Sequence, residues 1–231
     1  MSTLQLIDTD KNIYELWSWA PSDVRDQKVI LTDQQLSTRG NVVIGYLGPR
    51  DQESRVAVVA KLARQSSLHS LEKEYEMYET KLKRLQGHVV PRCYGLFKGI
   101  NSNGEGMACL LLEYCIGSPT FALEDRNRLI MLAVCKLHNA GVLHGSLGDG
   151  RHIVYTNSQV RLVDFTHAIE NHRCVGAIPM LTSSTGEKAS RNGCPELVFM
   201  EEKYGMADLL SKYHTQFHSK PAVHHPRRGR F

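Results

Sequence analysis

The sequence has no apolar run near the roughly 20 residues that span a bilayer, so a transmembrane helix and a membrane partner are not expected. Its start, MSTLQLIDTDKNIYELWSW, lacks a basic segment followed by an apolar one. No standard secretory signal is expected, and an intracellular setting, cytoplasmic or nuclear, is inferred. No C-x-x-C pair occurs among the six cysteines Cys93, Cys109, Cys115, Cys135, Cys174 and Cys194, and no H-E-x-x-H among the eleven histidines. The expectation is reduced thiols without a structural zinc. There is no internal repeat. Acidic residues are missing from the last twelve positions, which hold Lys220, Arg227, Arg228 and Arg230. Taking those four from the 28 Lys+Arg leaves 24, equal to the 24 Asp+Glu. The body is therefore formally neutral, without the basic groove of a nucleic-acid binder.

What is present is enough to build a core, at 42% hydrophobic residues over 231 positions. Residues 28–47 read as two β-branched strands meeting at a turn that contains Gly40, and 55–63 (RVAVVAKLA) as a third strand. Leu68, Leu71, Tyr75, Tyr78, Leu82 and Leu85 recur every three or four positions, which predicts a helix over 66–86 ended by Gly87 and Pro91. Two strands follow at 92–98 and 107–114, then a helix over 122–140 that stops at Gly141. Short strands at 152–155 and 159–163 precede an aperiodic stretch over 166–192, and 195–204 reads as helix.

Three polar residues interrupt apolar segments. Lys61 lies within VAVVAKLA, where a buried ammonium costs several kcal/mol unless it meets an anion. Glu74, on the following helix, is a suitable partner. Asp164 ends the strand VRLVDF and offers oxygen to a divalent cation.

In their order and setting these residues resemble the protein-kinase-like superfamily, and in particular the compact kinase-like domains abundant in fungi. Val58 to Leu62 (V-V-A-K-L) is similar to the strand with the ATP-binding lysine, and Glu74 stands where the family's helix supplies its partner. His144-Gly145-Ser146-Leu147 resembles the catalytic loop, Val163-Asp164-Phe165-Thr166 the metal-binding D-F-G, and Cys194-Pro195-Glu196-Leu197 the A-P-E segment. The resemblance implies a two-lobed α+β fold: an extension over 1–27, a small antiparallel-sheet lobe with one helix over 28–114, a reduced and mainly helical lobe over 115–204, and a disordered basic tail over 205–231. It also implies a nucleotide ligand, ATP with Mg2+, and an unidentified protein partner or substrate. Lys61 would contact phosphate, Glu74 would position Lys61, and Asp164 would bind magnesium. Gly40 and Gly45 would be the first and third glycines of a phosphate loop whose middle position is Val42.

The catalytic loop departs from the family pattern. Ser146 occupies the place of the catalytic aspartate, and a serine cannot take the substrate proton at neutral pH. Asp149 is the nearest substitute, although it also suits a Gly-Asp-Gly turn. Arg151 replaces the asparagine that holds a second magnesium, and could contact phosphate directly. His144 reads as a structural anchor. Thr182, Ser183, Ser184 and Thr185 lie where kinases carry regulatory phosphosites. Three functions follow from the resemblance: transfer of the γ-phosphoryl group to a protein hydroxyl, a catalytically inactive pseudokinase used as a binding or scaffold module, and a small-molecule kinase of the aminoglycoside or choline type.

Overall fold

A computed structural model of the chain describes residues 2–20, 26–37, 41–53, 56–101, 103–118, 120, 122–156, 158–174 and 194–205. The N-terminal half is a barrel. Strands β1 (Thr3–Ile7), β2 (Ile13–Ser18), β3 (Gln27–Gln35), β4 (Val42–Pro49), β5 (Val56–Arg64), β6 (Cys93–Ile100) and β7 (Gly106–Glu113) form one closed sheet in the order β1-β2-β6-β7-β5-β4-β3. Closure comes from β1, which pairs antiparallel with β2 and parallel with β3. This removes both sheet edges.

The alternation of each strand explains the barrel interior. Leu4, Leu6, Leu16, Val29, Leu31, Val58, Ala60, Phe97, Met107, Cys109 and Leu111 pack together inside it. On β7 the intervening Ala108, Leu110 and Leu112 are also buried, in a second cluster outside the barrel. A strand covered on both faces reads as an unbroken apolar run, as Met107 to Leu112 does. The outer cover is α1 (Leu68–Glu79), whose Leu71, Glu74, Tyr75, Met77 and Tyr78 are buried. Helix α1 ends sooner than the apolar spacing predicts. Leu82 is still buried, carried there by a turn and a short 3-10 segment, Lys83–Leu85.

Beyond the barrel stand α2 (Leu123–Asn139) and α3 (Pro195–Tyr204) with four short strands, β8 (Val142–Leu143), β9 (Ile153–Tyr155), β10 (Val160–Leu162) and β11 (Ile169–Glu170). These strands make two ribbons, β9 with β10 and β8 with β11.

The architecture overturns the two-lobed kinase-like fold expected from the resemblance. Residues 3–18, read as an extension, supply two strands that close the sheet, so the N-terminal half is a seven-stranded barrel rather than a small open sheet. The remainder is not a mainly helical lobe, because the described residues contain only three α-helices in all, one of them packed on the barrel. The physical reason is the burial of Leu4, Leu6 and Leu16, whose alternating pattern belongs to a covered strand. No helix among the described residues is long and apolar enough to cross a membrane. Gly40, Pro119, Thr182, Ser183, Ser184, Thr185 and the tail beyond Gly205 lie outside the described residues.

Candidate functional site

Strand parity decides where Lys61 points. Val58 and Ala60 face the barrel interior, so Lys61, with its neighbours Val59 and Ala63, faces α1. On α1, Glu74 shares the buried stripe of Leu71, Tyr75 and Tyr78, so its carboxylate is directed at the sheet. Lys61 Nζ donates to Glu74 Oε2 at 2.5 Å, and the two side chains are 12% and 0% exposed.

Asp164 arrives from the second half of the chain. Strand β10 is moored to the turn after α1, with Leu162 N donating to Val89 O and the buried Arg161 guanidinium donating to Gly87 O and His88 O. Two residues later Asp164 takes a left-handed backbone conformation, φ +66°, which aspartate tolerates better than most side chains. Phe165 then turns inward, fully buried edge-on against Tyr78 at 5.7 Å, and its backbone N donates to Glu74 Oε1 at 3.2 Å. The strained residue is thus braced on both sides. Asp164 Oδ1 accepts from Lys61 Nζ at 2.6 Å and from Thr166 Oγ1 at 2.6 Å, and its side chain remains 36% exposed.

Lys61 therefore uses all three of its N–H donors, on Glu74, Asp164 and, at 3.0 Å, Thr166 Oγ1. Burial pulls the Lys61 ammonium toward its neutral form, but the Glu74 and Asp164 carboxylates outweigh it and hold the pKa above the ordinary value. Burial likewise pushes Asp164 up, and the Lys61 ammonium beside it reverses the sign, leaving the carboxyl well below the usual range. One ammonium against two carboxylates leaves a formal charge of −1, which suits a cation at the exposed Asp164.

Ser146 does not face this cluster as a base. His144 Nε2 meets the Val163 carbonyl at 3.0 Å, so Nε2 carries the hydrogen and neutral Nδ1 is an acceptor. Burial pushes the His144 imidazole down to about 4, so this neutral form holds at pH 7. Ser146 Oγ, 3.1 Å from His144 Nδ1, donates to it. His152 Nδ1 lies 3.0 Å from both the Ser146 carbonyl and Oγ and so donates toward them. The opposite ring nitrogen, Nε2, is 3.5 Å from Asp164 Oδ2. Ser146 is thus the polar link between two stacked histidine rings, 5.7 Å apart.

No family model matches the chain, and no curated protein matches it.

The remaining expected residues stand elsewhere. Asp149 closes its own turn, with Oδ1 accepting from Arg151 N at 2.9 Å and Oδ2 from Arg151 Nε at 2.6 Å. The Arg151 hydrogen bonds hold the Asp149 carboxyl down to about 2. Arg151 is 76% exposed, so this pair belongs to the surface and not to the Lys61 cluster. Gly45 lies in mid-strand on β4, opposite Leu31 and Val58. A Cβ there would come within 3.0 Å of Val29 Cγ1 and 3.1 Å of the Ile30 carbonyl, so glycine allows the close packing of β3 on β4. That packing accounts for Gly45 as a strand residue, and Gly40, its companion in the phosphate-loop expectation, lies outside the described residues. Val42, directly opposite Lys61, opens β4.

Two contributors escaped the sequence reading. Thr166 bridges Asp164 and Lys61, and its position two residues past the acid in VDFT was the available signal. His152, adjacent to Arg151, was hidden because a histidine after a turn has no periodic signature.

Proposed function

We propose that Lys61 contacts the phosphates of a nucleotide, ATP with Mg2+, while Glu74 positions the lysine and Asp164 holds the ion, and that the protein acts as a binding module and not as a phosphoryl-transfer enzyme. One observation carries this reading. A buried ammonium is clamped between a sealed carboxylate, Glu74, and a half-exposed one, Asp164. Glu74 fixes the lysine, while Asp164 is the partner that solvent can reach. A magnesium ion, which takes oxygen ligands in six-fold geometry and retains waters, fits a single exposed carboxylate completed by phosphate oxygens. With Asp164 turned to the ion, the Lys61 N–H now spent on it is freed for a phosphate oxygen. When bound, the ion would neutralise phosphate charge.

The groups that transfer requires support the second half of the proposal. Ser146 spends its hydroxyl hydrogen on His144 and is no proton acceptor. Both Asp149 oxygens are engaged by Arg151, in a surface pair apart from the Lys61 cluster.

The test is thermal unfolding of the full chain with ATP, with and without magnesium. At about 100 times its dissociation constant the ligand adds roughly 2.7 kcal/mol, so the melting temperature rises. Asp164→Asn keeps the left-handed backbone tolerable and removes the charge, and it should abolish the magnesium-dependent part of the rise. An unchanged melt with Mg-ATP refutes nucleotide binding. Turnover of ATP by the unaltered protein, abolished in Asp164→Asn, refutes the binding-module half alone.

A further inference from the structure

Away from Lys61, four metal-type side chains converge from three separate stretches of chain. His138 lies in the last turn of α2, and Cys194 is the N-cap of α3. His172 and Cys174 follow β11, which is paired with β8, and His172 N donates to the carbonyl of Gly141 just after α2. One ligand atom from each, Nδ1 or Nε2 of the histidines and Sγ of the cysteines, falls within 4.8 Å of all the others. We propose that His138, His172, Cys174 and Cys194 form a tetrahedral zinc site.

The distances fit the metal. With Zn–S near 2.3 Å and Zn–N near 2.0–2.1 Å, neighbouring N and S atoms of a tetrahedral site stand about 3.5 Å apart. Cys194 Sγ lies 3.6 Å from His138 Nδ1 and 3.5 Å from His172 Nε2. The protonation pattern fits as well. His138 Nε2 is 2.7 Å from Glu196 Oε2, and a carboxylate only accepts, so Nε2 carries the hydrogen and the Nδ1 lone pair faces the sulfur. A carboxylate that fixes the tautomer of a ligating histidine is the usual support around zinc. Glu196 is itself held, since Oε2 accepts from His144 N and Oε1 from Gly145 N.

The charge also closes. Binding Zn2+ with loss of the two thiol protons gives a neutral complex, which suits a site whose His138 and Cys194 are buried. Cys174 and Cys194 bracket the segment 175–193, so the metal would tie together the two ends of that segment. The absence of a C-x-x-C pair thus did not preclude the cluster, because its ligands come from distant elements.

The experiment is metal analysis of the full chain purified under reducing conditions without a metal-binding tag, followed by replacement of the metal with Co2+. One equivalent of zinc per chain is expected, and the cobalt form should show the ligand-field and thiolate charge-transfer absorption of a tetrahedral two-sulfur site. Those bands exclude binding by the tail pair His224-His225, which has no sulfur. Cys174→Ser should lose the metal, His172→Cys should retain it, and Glu196→Gln should weaken it by about 10- to 100-fold. Should a variant fail to fold, the cobalt spectrum of the unaltered chain decides. Metal-free protein that gives no thiolate–cobalt absorption on titration overturns the proposal, as does a Cys174–Cys194 disulfide in protein kept under reductant.

Discussion

At the scale of single residues, a few charges are set deep in an otherwise apolar interior. Glu74 sits fully enclosed because α1 must bury the stripe on which it lies, and Lys61 is its counter-ion from the facing strand. His144 is the neutral counterpart, completely buried between the Val163 carbonyl and the Ser146 hydroxyl. Burial pushes its pKa down to about 4, below the ordinary 6.5, against the opposing pull of Glu196. The unfolded chain therefore takes up a proton near pH 6.5 that the folded protein refuses until near pH 4, and stability falls as pH drops through that window. His144→Gln does not titrate. Its urea-unfolding free energy should fall less steeply over the same range, by up to about 1.4 kcal/mol per pH unit. Parallel slopes for the two proteins would show that His144 is not the group responsible.

At the scale of elements, the two halves of the candidate site are joined by β10. Arg161 on that strand is 3% exposed and spends its guanidinium on the carbonyls of Gly87 and His88, at the turn that follows α1. Asp164 depends on this mooring, since it stands three residues further along the chain. Arg161→Ala removes two charge-assisted hydrogen bonds and leaves both carbonyls without that donor. A loss of about 3 kcal/mol is expected in denaturant unfolding, together with loss of any magnesium-dependent stabilisation by ATP. A variant as stable as the parent would show that β10 is held without Arg161, by its pairing with β9 and the Leu162 N–Val89 O bond.

Secondary structure at this scale was largely legible in the sequence. Helices α2 and α3 fall where the apolar spacing and Gly141 place the first and Pro195 starts the second, and β3 to β7 follow their β-branched and apolar runs. Strands β1 and β2 were not recognised. Their buried residues are few, Leu4, Leu6 and Leu16, and polar residues stand between them. Strands β8 and β11, of two residues each, are too short to carry any pattern.

At the scale of the whole molecule, the closing pair β1–β3 settles the architecture. Leu6 lies inside the barrel at 1% exposure, whereas Ile13, in the same hairpin, is 58% exposed. Leu6→Asp would bury an unpaired carboxylate between two neighbouring strands, a cost of several kcal/mol against a total stability of about 5–15 kcal/mol. Near-UV circular dichroism should show loss of tertiary structure. Ile13→Asp should change stability by no more than about 0.5 kcal/mol. Equal tolerance of the two would mean that β1 is an appendage and that the sheet stands without closure.

The division between chain and fold is visible in particular residues. Lys61, Glu74 and Asp164 were identifiable from sequence because each is a polar residue in an apolar setting, and that contrast is a property of chain neighbours. Their meeting within 2.6 Å of one ammonium, the engagement of Ser146 by two histidines, the packing role of Gly45 and the convergence of His138, His172, Cys174 and Cys194 were decided only by tertiary structure. Local sequence sets which face of a strand or helix a side chain takes, through a period of 2 or 3.6 residues. Which faces then meet depends on how β1 closes the barrel and how β10 docks on the turn after α1, and no local period encodes contacts between segments so far apart in the chain.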